Sequence, residues 1–284
     1  MRSARESNMG TEYLTNVEIK KDAEEIRVPA SYIYSRPHFK INESDFFLDI
    51  KNVARYRVQN GQEILICPYE NADEESVNLF LEGSALGALL HQRGMLPFHG
   101  SSFVYKNKGV MICGHSGAGK SSVTATFCQE GASFINDDIT PVAVPGSTIT
   151  ILPVKTRIKL WADTLQKLKI GGDNLQRIRP GIDKFYLPAE ENSVSEHALD
   201  HLFILSTHNK NEFQAIELEG MEKYNALRKQ IYRRIYLKGM PETEKKYFGQ
   251  LFSLANKVRV TRILRPQICD IQKTVRFIES EITK

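Results

Sequence analysis

The 284-residue chain has only four cysteines, Cys67, Cys113, Cys128 and Cys269, with no C-x-x-C pair and no histidine partner at zinc spacing. That absence removes a disulfide-stapled framework and a zinc finger, and leaves reduced thiols in apolar or helical contexts. Long hydrophobic runs are missing too. The best apolar stretch, residues 77–90, is interrupted by Glu82 and is too short to span a bilayer. The first eleven residues are polar and lack the apolar segment of a secretory leader, and Met9 is an alternative start. The expectation is a cytoplasmic protein with no membrane segment. An excess of either charge is also lacking, since 38 basic and 34 acidic residues leave only +4. Such a balance fits anionic small-molecule partners and does not call for nucleic acid, for which no binding signature is present. Internal repeats and low-complexity tracts are absent. With 41% hydrophobic and 25% charged residues, the composition excludes disordered, collagen-like and coiled-coil classes.

What is present divides unevenly. The length suits about two domains. Residues 1–30 are charged and aperiodic, and read as a flexible lead-in. Residues 31–95 read as a small β-rich part plus a helix. Short β-type runs fall at 31–34, 46–50, 54–58 and 63–66, with Asn60-Gly61 as a hairpin signal. Residues 77–93 read as a helix on which Gly83 and Gly87 share a face and admit a close neighbour. Residues 96–284 form the main core. There, 97–105 predicts a strand, 106–109 a turn, and 110–113 a second strand. A helix over 120–130 ends at Gly131, and a strand over 132–135 exits into Asn136-Asp137-Asp138. Residues 139–152 predict two short strands separated by Pro145-Gly146, and 160–170 a short helix stopped by Gly171-Gly172. Residues 202–206 and 213–218 resemble a hairpin around residues 209–211. Tyr224, Leu227, Ile231 and Ile235 form a helical stripe, 258–264 a strand, and 268–282 a C-terminal amphipathic helix.

Chemistry concentrates in Gly114-His115-Ser116-Gly117-Ala118-Gly119-Lys120-Ser121, a full match to G-x-x-x-x-G-K-[ST] between a strand and a helix. Gly117 and Gly119 let backbone N–H groups fold inward as an anion nest, and the helix N-terminus adds positive dipole. Lys120 reaches the β/γ phosphates and Ser121 ligates Mg²⁺, with Ser122 completing the cofactor-binding stretch. The expected cofactors are therefore ATP and Mg²⁺. Asp137-Asp138 arrive 17 and 18 residues after Lys120, at the end of the next strand. Neighbouring carboxylates at a strand exit point to opposite sides, so one faces the γ-phosphate while the other reaches metal or backbone. His99, across the hairpin from the strand that feeds the loop, is placed to hold an aspartate oriented and ionised.

Together, His99-Gly100, the loop with Lys120 21 residues after His99, Gly131 and Asp137-Asp138 resemble the catalytic core of HPr kinase/phosphorylase, whose nucleotide fold is related to phosphoenolpyruvate carboxykinase. Residues 81–94 followed by Leu96-Pro97-Phe98-His99-Gly100, then Arg157-Ile158-Lys159-Leu160-Trp161 and Lys184, are similar to HPr-kinase-like serine kinases such as the lasso-peptide kinases. The resemblance covers residues 77–190 and implies an α/β P-loop fold with mixed, largely antiparallel sheets and a small β-rich N-terminal part. It implies catalytic roles for His99, Lys120, Asp137 and Asp138, with metal on Ser121 and Asp137, and proton acceptance by Asp138. The implied reaction moves the ATP γ-phosphate to a serine hydroxyl of a peptide, small protein or serine-like metabolite, in a chain able to form a homo-oligomer. The family's L-E-G-R-G-L-G signature is absent; Leu81-Glu82-Gly83 and Leu218-Glu219-Gly220 supply only its first triplet. The alternative is a regulatory ATP-binding module with little or no phosphotransfer, which needs no poised base. Arg157, Arg179 and Lys184 are candidate anion contacts. Arg228, Lys229, Arg233 and Arg234 form a basic face that reads first as a solvated surface, with docking of an acidic peptide or nucleic acid as the alternative.

Overall fold

The computed structural model describes residues 17–21, 23, 25–144, 148–154, 157–171, 175–187 and 196–284. Its first unit is a six-stranded sheet of β1 (Glu18–Lys20), β2 (Tyr34–Arg36), β3 (Phe39–Ile41), β4 (Asp45–Ile50), β5 (Ala54–Gln59) and β6 (Glu63–Pro68). The order is β1-β6-β5-β4-β3-β2, antiparallel throughout except that β1 runs parallel to β6. Period-two alternation drives the pairing: Ala54, Tyr56 and Val58 of β5 are buried while the residues between them are not. Asn60 and Gly61 turn the chain with φ of 52° and 63°. Two expectations change here. The run at 31–34 starts its strand only at Tyr34, and the lead-in contains β1, whose three residues carry one apolar side chain, Ile19. Residues 1–16 of that lead-in lie outside the described residues.

A nearly continuous helix covers this sheet, made of α1 (Glu74–Phe80), a π-helical turn over Leu81–Ala85, and α2 (Leu86–Gln92). Asp73 caps it by accepting from the Ser76 amide at 2.8 Å. Leu81, Leu89 and Leu90 pack on Phe46, Tyr56 and Ile66. Gly83 and Gly87 face Tyr232: a Cβ on Gly87 would lie 2.8 Å from its ring.

The chain continues through β7 (Leu96–Phe98), β8 (Gly100–Tyr105), β9 (Lys108–Gly114), α3 (Lys120–Gln129), β10 (Ser133–Asn136), β11 (Thr140–Ala143) and β12 (Thr150–Ile151). Then come β13 (Ile158–Trp161), α4 (Ala162–Lys167), β14 (Lys184–Leu187), β15 (His197–Ala198), β16 (His201–His208) and β17 (Gln214–Glu217). The last elements are α5 (Gly220–Lys229), a 3₁₀ turn over Arg234–Gly239, α6 (Pro241–Lys257), β18 (Arg259–Pro266) and α7 (Ile271–Ile282). The fold is mixed α/β. Its central sheet runs β10-β8-β9-β16-β18-β17, with β9, β16 and β18 mutually parallel. Both faces of these strands are covered, which explains the unbroken apolar runs of β9 and β16. Phe103, Ile112, Phe203 and Ile263 pack under Phe127 and Ile278 on one face, while Met111, Leu202 and Val260 meet Leu227, Leu251 and Leu254 on the other. A second sheet runs β15-β12-β11-β7, and β13 pairs with β14.

The single strand expected over 97–105 is two strands in different sheets. The break is at His99, whose amide donates to the Gln230 carbonyl at 2.7 Å, and Gly100 then lets the chain turn into the central sheet: a Cβ there would lie 2.9 Å from the Ile112 carbonyl. Leu160 and Trp161 are strand rather than helix, because β13 pairs with β14. The hairpin expected from 202–206 and 213–218 does not form. β18 lies between β16 and β17, since parallel pairing with β16 buries Val260 and Ile263 fully. The stripe from Tyr224 to Ile235 is not one helix: α5 ends at Lys229, and Ile231 bridges to Phe98. The turn at Pro145-Gly146 and Gly172 lie outside the described residues. Among the described residues, no helix is long and apolar enough to cross a membrane.

Two buried histidines are expected to weaken this fold toward acid pH. Burial pulls His91 down to about 4 against the opposing hydrogen bond of Nε2 to the Tyr232 carbonyl, and pulls His201 down to about 3 with help from Arg259 and Lys223. In the unfolded chain both take up protons near pH 6.5, whereas the native state resists until far lower pH, so stability rises with pH across that window. Between about pH 7 and about pH 4.5 the two together cost about 5 kcal/mol. Urea unfolding at the two pH values is expected to show that loss, and His201→Gln should remove about half of it.

Candidate active site

Strand β9 and helix α3 meet at the glycine-rich loop. Gly114, Gly117 and Gly119 take φ of 145°, 81° and 96°, conformations that side chains strain to adopt. A Cβ on Gly117 would meet nothing within 4 Å, so its requirement is conformational, whereas one on Gly114 would lie 2.7 Å from the Leu205 carbonyl. No side chain caps α3, whose first-turn amides therefore offer hydrogen bonds to an anion. His115, Ser116 and Gly117 are exposed at the mouth, Ala118 is buried, and Ser121 and Ser122 are half-buried on the first turn. The loop is braced from β18, where the Arg265 guanidinium donates to the Ala118 carbonyl at 3.2 Å.

Lys120 folds back across this loop. Its ammonium donates to the carbonyls of Gly114 and His115 at 3.1 and 3.2 Å and lies 3.1 Å from His99 Nε2. Burial lowers its pKa, against the pull of Cys113, Asp138 and Asp137. The Cys113 thiol beneath it is pushed up to about 12 by burial, which makes it inert as a nucleophile. On the other side of His99, Nδ1 lies 3.1 Å from the Asp138 carbonyl and 3.3 Å from Asp138 Oδ1. One tautomer satisfies all these contacts: Nδ1–H donates to Asp138, and Nε2 accepts from Lys120.

The two aspartates diverge because Asp138 takes a left-handed backbone, with φ of 71°. Asp137 turns inward and is fully buried. Its Oδ1 accepts from the hydroxyls of Ser101 and of Ser121, the latter at 2.8 Å, and Oδ2 accepts from the Lys159 amide at 2.9 Å. Asp138 faces the cleft. Burial raises its pKa, but the His99 hydrogen bond and the charges of Lys159 and Lys184 outweigh that and hold the carboxyl well below the usual range. β10 lies next to β8 and runs in the direction of β9, so its exit and the loop share one edge of the sheet.

An acidic and basic network extends outward from this pair. The Lys159 ammonium is 3.9 Å from both Asp138 and Glu82, and Glu82 is 3.9 Å from Arg157. Arg157 stacks on Tyr186, with its guanidinium carbon 3.6 Å from the ring centroid. Lys184 stands opposite Trp161 on β14, while Arg179 lies in the bend before that strand. Opposite the loop, residues 229–233 close a cleft of about 600 Å³ lined also by His99, Gly114, His115 and Asp138. Ser101, Glu82, Tyr232 and Arg265 join the site through contacts that no sequence motif marks. Glu82 did leave a signal, a lone carboxylate inside an apolar run; the others left none. Leu218-Glu219-Gly220 enters α5 at the end of β17.

The Ser121 hydroxyl beside the Asp137 carboxylate suits Mg²⁺, which takes one or two protein oxygens and completes its shell with phosphate and water. Among the described residues, no group of three or more His, Cys, Asp or Glu side chains forms a metal cage.

No family model matches the sequence, and no curated protein matches it. Among solved structures, the chain is similar to the HPr(Ser) kinase/phosphatase from Coxiella burnetii at 12% identity, over 66% of this chain and 88% of that one, with a TM-score of 0.36. That likeness is distant.

Proposed function

We propose that this protein is an ATP-dependent phosphotransferase acting on a serine hydroxyl of a peptide, a small protein or a serine-like small molecule. The observation that carries this reading is one cleft in which an uncapped glycine-rich loop, the Lys120 ammonium and the ionised Asp138 are linked through His99. As the bound Mg²⁺ complex, ATP would supply the phosphoryl group and divalent charge. The loop amides and Lys120 hold the phosphates. Ser121 and Asp137 offer oxygens to the metal. Asp138 accepts the proton as the acceptor oxygen forms its bond to phosphorus and the bond to the ADP oxygen breaks. His99 holds Asp138 ionised and aimed, and few other side chains are needed because phosphoryl transfer is mainly positioning and electrostatics.

A regulatory nucleotide module would bind through the same loop. It would not require a carboxylate facing the cleft with a histidine orienting it. Incubation with γ-labelled ATP and a panel of candidate peptides and serine-like metabolites, followed by phosphoamino-acid identification, distinguishes the two. Labelled phosphoserine is expected. Nucleotide turnover without any labelled acceptor favours the regulatory reading.

A further inference from the structure

The wall of the cleft opposite the glycine-rich loop also carries positive charge, on Lys229 and Arg233. Residues 230–232 are fixed there by the backbone. Gln230 accepts from the His99 amide at 2.7 Å, Ile231 bridges to Phe98, and the Tyr232 amide donates to Pro97 at 2.9 Å. The Tyr232 ring seats against Gly87, with its centroid 5.8 Å from that of His99. Beyond it, Arg233 adopts a left-handed backbone with φ of 48°, an uncommon conformation for arginine that the surrounding packing must hold. Its guanidinium donates to Ser84 Oγ at 3.0 Å on the π-helical turn and lies 5.7 Å from the Tyr232 ring centroid.

Neighbouring Arg228 is neutralised by Glu244 at 2.7 Å, yet neither Lys229 nor Arg233 has a carboxylate within 4.0 Å among the described residues. Both line the cleft that Asp138 and His99 face. A guanidinium anchored on Ser84 and an ammonium with no carboxylate partner therefore line the same cleft as the proposed proton acceptor. A planar guanidinium fork matches a carboxylate better than any other common acceptor group except phosphate.

We propose that residues 229–233 form an acceptor-side anion subsite anchored by Arg233, so that the protein selects a serine acceptor carrying carboxylates next to the hydroxyl. This rests on the phosphotransferase reading and names its substrate class. The acceptor's carboxylate docks on Arg233 and Lys229, while its hydroxyl sits at Asp138, which would repel an acid placed directly against it.

The test uses the full chain with Mg²⁺ and a non-transferable ATP analogue, and fluorescent peptides in which one serine is flanked by Glu, Gln or Lys. Wild type is expected to bind the Glu-flanked peptide about tenfold or more tighter than the Gln-flanked one, as charge-assisted hydrogen bonds allow. Arg233→Gln should reduce that ratio to about twofold or less, with nucleotide affinity unchanged, and Arg233→Lys should restore part of it. Charge-indifferent binding, a preference for Lys, or failure of the Glu-flanked peptide to bind overturns the subsite. So does a fall in kcat that is equal for Glu- and Gln-flanked peptides in Arg233→Gln. Phosphotransfer to the same peptides is read separately. Acidic preference without transfer leaves the subsite standing and removes the phosphotransferase reading, whereas transfer without charge preference does the reverse.

Discussion

Asp138→Asn is expected to lower phosphotransfer by about 10³-fold or more while leaving nucleotide binding nearly unchanged, because a positioned general base contributes roughly 10²–10⁴-fold. The substitution preserves shape. Its amide oxygen still accepts from His99 Nδ1, and the left-handed backbone at this position suits Asn as well as Asp. What disappears is the negative charge that, in the proposed reaction, takes the proton. The carboxyl group is held well below the usual range: burial acts against the charge, but the His99 hydrogen bond and the charges of Lys159 and Lys184 overcome it. A group whose pKa is depressed in this way stays ionised as pH falls through the ordinary carboxylate range. The acidic limb of kcat/KM in wild type should therefore not come from Asp138. Steady-state kinetics with a nucleotide titration separate the outcomes. Transfer retained in Asp138→Asn removes this residue as the base.

Lys120→Ala is expected to reduce kcat/KM by about 10³-fold, shared between weaker nucleotide binding and a slower chemical step, since each preorganised charge contact at the transition state is worth roughly 10²–10³-fold. Its effect on stability should be small or even favourable. The wild-type ammonium is almost fully buried, with burial lowering its pKa, and among the described residues its hydrogen-bond partners are the two loop carbonyls and His99. Removing the charge removes its desolvation cost along with those bonds. A melting temperature near that of wild type, combined with lost transfer, would place the effect in phosphate handling. If Lys120→Ala retains transfer within about tenfold, the loop is not the donor site.

Much of the candidate site was legible because its features are short-range. A glycine at positive φ, a lysine after it and an uncapped helix start are consequences of eight adjacent residues. The carboxylates of Asp137-Asp138 stand at a strand exit within one strand–helix–strand unit, where the neighbouring antiparallel strand keeps them beside the loop. Less of the site was legible where a contact spans the chain. Ser84 and Arg233 are 149 residues apart, and Glu82 and Tyr186 are 104 apart. No local periodicity links such pairs. The basic face at residues 228–234 shows the limit well. Sequence groups four cations there, but only the fold pairs Arg228 with Glu244 and puts Lys229 and Arg233 in one cleft with Asp138.

The same division holds for the architecture. Sequence by itself determined the glycine-rich loop, the helix after it, the alternation of β5 and the apolar character of β9 and β16, because backbone sterics and hydrophobic periodicity act over a few residues. It also determined, through four scattered cysteines and a +4 balance, that neither disulfides nor a strongly charged surface organise the protein. Only the tertiary structure decided that β18 enters between β16 and β17, that the chain changes sheets at His99, and that Tyr232 seats in the gap left by Gly83 and Gly87. Strand order and close approach depend on which distant apolar faces exclude water together, and that choice is made by the whole core at once.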